Sequence, residues 1–363
     1  MKKSVLLLIM SVCFLMILAA CGDNETAQQG DNGNNNDEAN AAEGSNDNVD
    51  DLEISGGGGD GEYLSETDSY TLRFTSAGET GIYYPLGAIF SNLWTNELPN
   101  VTASSSASNG SVQNMIFMSQ DEADVGLVMG SILAEAYYGE AGFEGNAYED
   151  VRILAGIYLN YNNVVVRDGG GIESFSDVAG KRFVPGDTGS GTEIASQQIF
   201  EAYGLTFDDV NTSFVGFSEA TDLMRNNQID GTNINSGIPT AAVSEMLSTA
   251  DGQLLSLDQD AIDYMTDKWD FYIDATIPAG TYPNQDEDVQ TTAMMNFLVA
   301  DASMPDDVAY DLVKSLWDNL EGISGSHGVI EQFEIENVQD GSGDIPFHPG
   351  AQQYYEEEGV WND

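Results

Sequence analysis

The feature that most constrains this chain is a unit that recurs along it: a short strand, a loop rich in glycine and hydroxyl residues, and a helix. The first copy is Thr71–Leu93, TLRFTSAGETGIYYPLGAIFSNL. Leu72 and Phe74 alternate as in a strand, and Gly78 and Gly81 permit backbone angles closed to other residues. The apolar residues that follow fall on one helical face. The loop therefore presents free backbone N–H groups at a helix start, an arrangement that suits an anion.

A second copy begins with the strand Lys181–Val184 and continues through the loop PGDTGSGT into a helix over Glu193–Tyr203. Ser190 and Glu193 have the spacing of a capping box, which predicts that this helix begins at Ser190. The loop is close to a phosphate-cradling sequence but lacks its lysine. A nucleotide site is therefore disfavoured, and a site for a small carboxylate is retained.

Further copies of this strand–loop–helix unit are predicted where a strand is followed by a polar or glycine-rich segment. Val101–Ser105, Ala123–Met129 and Ile229–Asn235 are the strands concerned. Arg152–Arg167 contains two apolar runs and is predicted to form paired strands that leave one domain for another. Phe214–Phe217 is predicted to lead into a helix capped at Ser218.

Alternating strands and helices predict an α/β protein with a mainly parallel, doubly wound sheet in each of two domains. We expect domain 1 to comprise residues 70–160 and 275–363, and domain 2 to comprise residues 161–274. Ligands of such folds lie beyond the carboxyl ends of the strands. Two domains that face each other therefore predict a ligand cleft lined by helix N-termini from both sides.

The first 20 residues are predicted to be an export signal. Lys2 and Lys3 precede a mostly apolar run that is too short to span a bilayer comfortably and ends in Leu18-Ala19-Ala20-Cys21. This ending resembles the bacterial lipoprotein box, in which the cysteine is lipidated; a plain signal peptide with a chance cysteine is the alternative. Residues 21–69 contain few large apolar residues and are predicted to be a disordered acidic tether. We therefore expect an exported protein anchored to the cell membrane by lipid and facing the periplasm or exterior.

The charge of the chain is strongly negative. The formal net charge is −51, and once Lys2 and Lys3 leave with the signal, eight basic residues remain against 61 acidic ones. Such a surface repels phosphate, which excludes nucleic acid as a partner. It also destabilises a compact state in dilute salt, so we interpret the acidity as adaptation to a saline habitat.

A series of ordered motifs between Tyr70 and Gly359 resembles the TAXI family, the extracytoplasmic solute receptors of tripartite ATP-independent periplasmic (TRAP) transporters. The motifs are AGETGIYYPLG, SNGSVQNM, ADVGLVM, GSGTE, FSEATDLMRNNQIDG, TIPAGTYPNQDEDVQT and IPFHPGAQQYYEEEG. The resemblance implies a type II periplasmic-binding-protein-like fold that closes on a small solute and delivers it to TRAP membrane permease subunits. Glutamate-like amino acids and dicarboxylates are the ligands it implies. Ala77, Thr80 and Ile82 depart from the family, which more often has Gly, Gly and a hydroxyl residue there.

We predict a site for a small carboxylate or amino acid between the helix starts of the two domains. Backbone donors and hydroxyls must bind most of the anion because basic residues are few, and Arg167 is the candidate for a contribution from a cation. The predicted ligand-binding residues are Gly78, Gly81, Tyr83, Tyr84, Ser108, Asn109, Gly110, Met129, Gly130, Ser131, Arg167, Thr188, Gly189, Ser190, Gly191, Thr192, Asn235 and Ser236.

The sequence disfavours catalysis. The two histidines, His327 and His348, are not part of a recognisable serine–histidine–aspartate order. Two histidines without an available cysteine also make a zinc site improbable, and no cofactor is expected. A ligand-binding sensor or adhesion lipoprotein of the same fold is the alternative to a transport receptor, and permease genes beside this one would favour transport.

Overall fold

The computed structural model describes residues 69–362, so the predicted signal, the tether and Cys21 lie outside the described residues apart from residue 69. The strands are β1 (Tyr70–Thr75), β2 (Val101–Ser106), β3 (Val125–Met129), β4 (Val151–Arg167), β5 (Arg182–Val184), β6 (Asn211–Thr212), β7 (Gly231–Ser236), β8 (Gly252–Leu254), β9 (Ile273–Ile277) and β10 (Val289–Asp301). The helices are α1 (Tyr83–Glu97), α2 (Ser111–Ser119), α3 (Gly130–Tyr138), α4 (Gly191–Ala202), α5 (Phe217–Arg225), α6 (Ala241–Thr249), α7 (Gln259–Lys268), α8 (Asp306–Asp318), α9 (Leu320–Ser324) and α10 (Pro349–Glu358).

All ten strands belong to one mixed sheet, whose main path runs β2-β1-β3-β10-β4-β7-β5-β6. Three parallel strands, β1 to β3, form a first half with α1 to α3, and β5 to β7 form a second half with α4 to α6. The long strands β4 and β10 are antiparallel to each other and to their neighbours β7 and β3, and they join the two halves. The predicted doubly wound halves therefore share one continuous sheet, and the predicted domain boundaries stay a prediction.

Two local sequence predictions are wrong. Arg152–Arg167 does not form paired strands, because Val151–Arg167 runs as one strand with its central asparagines inside the ladder. The helix that follows Phe214–Phe217 is not capped at Ser218 either, because Gly216 is the N-cap residue of α5 and Phe217 is its first residue. The short strand β6 lies just before this segment, at Asn211–Thr212.

Buried aromatic side chains hold the helices of each half against the sheet. In the first half, Phe74 on β1 contacts Phe90 and Trp94 on α1, with ring centroids 6.3 and 6.1 Å away. The C-terminal helices return to this half, where the Trp94 indole donates to the carbonyl of Leu312 on α8 at 3.1 Å. In the second half, Phe183 on β5 packs edge-on against α4. This packing fixes the helix starts at the strand ends.

Candidate functional site

A cleft lies between the first and second halves, where several strands end and helices begin. The cavity within it has a volume of about 100 Å³. The lining residues are Ala77, Gly78, Thr80, Gly81, Ile82, Tyr83, Ser108, Asn109, Gly110, Ser111, Met129, Asn160, Asp187, Ser190, Gly191, Thr192, Gly216, Phe217, Asn235 and Ser236.

The start of α2 forms one wall. Gly110 precedes it with a φ of 105°, and no side chain caps its first N–H groups. Asn114 fixes this end of the helix, because its amide nitrogen donates to the carbonyls of Ser76 and Leu127, each at 2.8 Å. Ser108 donates to the same Ser76 carbonyl at 2.9 Å. The uncapped N-terminus of α2 is therefore held rigidly and carries partial positive charge toward the cleft.

The start of α4 forms the opposite wall. Ser190 is its N-cap residue and accepts a hydrogen bond from the Glu193 N–H at 3.1 Å, as the spacing of the two residues predicts. The Glu193 carboxylate accepts from the Gly189 N–H at 2.8 Å, one residue earlier than a standard capping box has it. Gly186 is required here, because its φ is +121° and a Cβ would lie 2.8 Å from the Glu193 nitrogen. The loop therefore has a single conformation that turns α4 toward the cleft.

The two walls touch each other. The Asn109 amide donates to the carbonyl of Thr188 at 3.4 Å. Gly191 packs against Ser111, where a Cβ would lie 3.2 Å from the Ser111 Cβ, and the Phe217 ring lies 3.7 Å from the corresponding position at Gly81. The described conformation is therefore a closed one in which the halves meet around the cleft.

Tyr83 lies between the first half and the crossing strands. Its hydroxyl donates to the side-chain oxygen of Asn296 and lies 3.4 Å from the Ser111 hydroxyl. Burial raises the pKa of Tyr83, and hydrogen bonds to Ser111 and Asn160 oppose that rise in part. The tyrosine is therefore a neutral hydrogen-bonding group at any physiological pH.

Among residues 69–362, no lysine, arginine or histidine lines the cleft. Arg167, the predicted contributor of a cation, does not line the cleft: its guanidinium donates to the carbonyls of Met224 and Ile229 at 2.9 and 2.7 Å and to the side chain of Asn227. Arg167 ends β4, which runs antiparallel to β7, so it lies at the sheet edge opposite the carboxyl end of β7. Asp187 is the charged residue among those that line the cleft.

The structure brings twelve of the predicted site residues to the cleft, although their contact with a ligand stays a prediction. They are Gly78, Gly81, Tyr83, Ser108, Asn109, Gly110, Met129, Ser190, Gly191, Thr192, Asn235 and Ser236. Tyr84, Gly130, Ser131, Thr188 and Gly189 do not line the cleft. Gly130 and Ser131 are buried behind the wall, where Gly130 packs against Phe297. Thr188 is exposed, and Tyr84 and Gly189 are partly exposed beside the cleft.

Sequence reasoning missed eight lining residues: Ala77, Thr80, Ile82, Ser111, Asn160, Asp187, Gly216 and Phe217. Most lie in or next to the loops that follow β1, β2 and β5. Gly216 and Phe217 open α5, so the rule that a helix start faces the cleft applies to them as well. Asn160 has a different signal, because it is the first of three asparagines in the middle of the long strand β4.

No helix within residues 69–362 is long and apolar enough to cross a membrane. The same residues contain no group of three or more histidine, cysteine, aspartate or glutamate side chains that could hold a metal ion.

Comparison with known proteins identifies the fold. A protein of Bordetella bronchiseptica RB50 is similar over 81% of this chain and 83% of its own, with 17% identity and a TM-score of 0.50. PhnD1 from Prochlorococcus marinus, solved with methylphosphonate, is similar over 80% and 96%, with 11% identity and a TM-score of 0.48. The alkanesulfonate-binding protein SsuA from Xanthomonas axonopodis pv. citri, bound to MOPS, is similar over 74% and 80%, with 12% identity and a TM-score of 0.46. The predicted type II periplasmic-binding-protein-like fold is confirmed.

Residues 74–359 match the NMT1-like family, which places most of the described chain within one family. The match does not by itself distinguish TAXI receptors from other solute receptors of this fold. The chain belongs to the NMT1-like family.

Proposed function

We propose that this chain is an extracytoplasmic solute receptor of the TAXI type, which binds a small carboxylate or amino acid and delivers it to a TRAP permease. The observation that carries the proposal is the convergence of two helix starts, at Ser111 and Gly191, on one closed cleft. One of these starts has no side-chain cap. Free N–H groups and the helix dipole then supply positive potential without a basic side chain, which suits a small anion. The ordered motifs between Tyr70 and Gly359 support the TAXI assignment within the fold.

A role as a receptor, without catalysis, agrees with the use of both histidines. His327 caps a turn by accepting from the Val329 N–H at 3.2 Å, and His348 caps α10 by accepting from the Gly350 N–H at 3.3 Å. Burial lowers the pKa of both imidazoles, which keeps them neutral acceptors. Neither histidine lines the cleft.

A thermal-shift screen at high salt tests the ligand class. The screen would contain amino acids, dicarboxylates, sulfonates and phosphonates, followed by calorimetry of any compound that raises the melting temperature. A ligand of the native state at about 100 times its Kd adds about 2.7 kcal/mol of stability. Stabilisation by a carboxylate supports the proposal; stabilisation by sulfonates or phosphonates alone would exclude the carboxylate class.

The proposal includes anchoring of the receptor to the cell membrane through Cys21, with residues 21–69 as the tether. Cys21→Ser is expected to release the protein from the membrane fraction. A variant that stays in that fraction and is labelled by palmitate would show that the anchor lies elsewhere. Solute uptake that depends on adjacent permease genes would separate a transport receptor from a sensor or adhesion protein of the same fold.

A further inference from the structure

Large apolar side chains that line the cleft reach from one half of the molecule to the backbone of the other. Ile82, in the loop before α1, packs against Gly237, where a Cβ would lie 2.7 Å from the Ile82 Cδ1 atom. Met129, at the end of β3, packs against Gly191 in the same way, and its sulfur atom occupies the space that a Cβ would need there. Both apolar residues belong to the first half of the molecule, and both glycines belong to the second.

A third contact of this kind runs in the opposite direction. Phe217, the first residue of α5 in the second half, has its ring 3.7 Å from the position that a Cβ would take at Gly81 in the first half. All three contacts exist only while the halves are closed, because each joins one half to the other. Packed side chains yield little to pressure from a neighbour, so these contacts fix the width of the closed cleft.

The cavity that remains between these contacts is small, with a volume of about 100 Å³. A cavity of about 150 Å³ in an engineered protein core holds one benzene molecule, which has six non-hydrogen atoms. The closed cleft therefore has room for a solute of about six non-hydrogen atoms, whereas glutarate has nine and glutamate has ten. A solute of that larger size would hold the halves apart and would lose the contacts between them.

The charges around the cleft limit the solute to one carboxylate. Asp187 is the charged residue among those that line the cleft. The start of α4 already has a carboxylate beside it, because Glu193 accepts from the Gly189 N–H at 2.8 Å. This acid offsets the positive end of the α4 dipole, so the uncapped start of α2 is the one that remains for an anion. A second carboxylate on the solute would meet Asp187 with no cation to balance it.

We propose that the closed cleft takes a short monocarboxylate of about two to four carbons, such as propanoate or butanoate, and excludes glutamate-like solutes and dicarboxylates. This inference rests on the proposed function, in which a helix start binds the carboxylate of the solute. Ile82, Met129 and Phe217 determine the specificity for size, because they occupy the space into which a longer solute would extend. Asp187 adds the specificity for a single negative charge.

Calorimetry at high salt on straight-chain monocarboxylates from acetate to hexanoate tests the limit on size. Affinity is expected to be highest at about three or four carbons and to fall about 10-fold or more at hexanoate, because added methylenes overpack the closed cavity. Succinate has as many non-hydrogen atoms as hexanoate, so a further loss of affinity for succinate measures the effect of the second charge. Glutarate and glutamate are expected to bind about 10-fold or more weakly than butanoate.

Variants test whether the named side chains set this limit. Ile82→Ala and Phe217→Ala enlarge the cavity from opposite halves, so each is expected to move the preference toward pentanoate and hexanoate, by about fourfold in affinity for each methylene that becomes buried. The use of two positions keeps the test valid if one variant fails to fold. Ile116→Ala and Phe214→Ala are the matched controls, because these side chains are 39% and 38% exposed and neither lines the cleft.

The possible results distinguish this inference from the proposed function. A wild-type protein that binds hexanoate, glutarate or glutamate as tightly as butanoate would overturn the inference and leave the proposed function standing. The same holds if both cavity variants keep the wild-type order of affinities. Binding of sulfonates or phosphonates with no affinity for any carboxylate would overturn both.

Discussion

Gly191, the first residue of α4, packs so closely against Met129 at the end of β3 that a methyl group at position 191 would overlap the Met129 sulfur atom. One residue belongs to the second half of the molecule and the other to the first. Because the two halves meet at this point, the cleft can close only if residue 191 has no side chain that separates them. Closure therefore depends on the absence of a side chain at a residue that also lines the cleft.

Gly191→Ala is expected to weaken solute binding about 5- to 100-fold, because overpacking costs about 1–3 kcal/mol and falls on the closed conformation. The stability of the ligand-free protein should change little, since the halves can separate to relieve the overlap. Calorimetry and thermal unfolding measure the two effects. Gly325→Ala is the matched control, because a Cβ there meets no atom within 4 Å. An unchanged affinity for the Gly191 variant would mean that closure tolerates the added methyl group.

Ser190 and Thr192 are expected to contribute more to affinity than to stability. Ser190→Ala removes an N-cap, which costs about 1 kcal/mol, but Ser190 and Thr192 also line the cleft. The double alanine variant should bind the solute much more weakly than its melting shift explains. Ser174→Ala removes another cap, outside the cleft, and should reduce stability alone. Equal affinity in the double variant and the wild type would leave Ser190 with only a capping role.

Arg167 is expected to contribute to stability and not to affinity. Its guanidinium holds the carbonyls of Met224 and Ile229 at the end of α5, and it does not line the cleft. Arg167→Met is therefore expected to lower the free energy of unfolding by about 2 kcal/mol and to leave the Kd unchanged. Chemical denaturation and calorimetry measure the two quantities. A loss of affinity larger than the loss of stability predicts would mean that this arginine does reach the ligand.

The position of the site could be predicted from the sequence in part, as the loops of the cleft and Arg167 show. The rule that ligands lie beyond the carboxyl ends of strands identified the loops after β1, β2 and β5, because those strands run parallel to their neighbours within each half. It failed for Arg167 because β4 runs antiparallel to β7, so its carboxyl end lies at the opposite edge of the sheet. Strand direction depends on which distant segments pair, and local patterns do not contain that information.

The partners of the buried asparagines on β4 and β7 were also beyond the sequence. Nothing local shows that Ser196 on α4 meets Asn233 on β7, or that Asn162 accepts from two neighbours at once. What the sequence did contain was the unusual density of asparagine within two strands that are otherwise apolar or β-branched. That density indicates polar contacts between the two strands but not the partner of each amide.

Glu135 on α3 should make stability depend on pH. Burial, with a smaller contribution from Glu140, raises the pKa of Glu135 from 4.5 to about 7. The folded state then retains a proton that the unfolded chain has lost, so the free energy of unfolding falls as pH rises from about 4.5 to 7. Because the side chain is partly exposed, we expect a loss on the order of 2 kcal/mol.

Glu135→Gln tests this dependence. The variant is expected to be more stable than the wild type at pH 7.5 and equally stable at pH 4. Denaturant unfolding at both pH values gives the difference, and Glu140→Gln, at an exposed position, is the matched control with a smaller effect. A constant difference between the variant and the wild type across this range would show that Glu135 titrates normally.

Salt should stabilise the protein, because it screens the repulsion between carboxylates. Salt also weakens ion pairs, but the described ion pairs contribute little stability that could be lost. Arg73, Arg182 and Arg225 pair with acidic side chains, but these arginines are 37–47% exposed, so each pair contributes only about 0–1 kcal/mol for salt to remove. The 61 acidic residues of the chain far outnumber its basic ones, and most of their mutual repulsion is open to screening. At about 1 M salt the Debye length is about 3 Å, shorter than the separation of most surface carboxylates.

The unfolding midpoint is therefore expected to rise steeply between 0.05 and 2 M NaCl, to about the same extent with KCl. A flat response, or a rise seen with only one cation, would show that bound ions already compensate these charges.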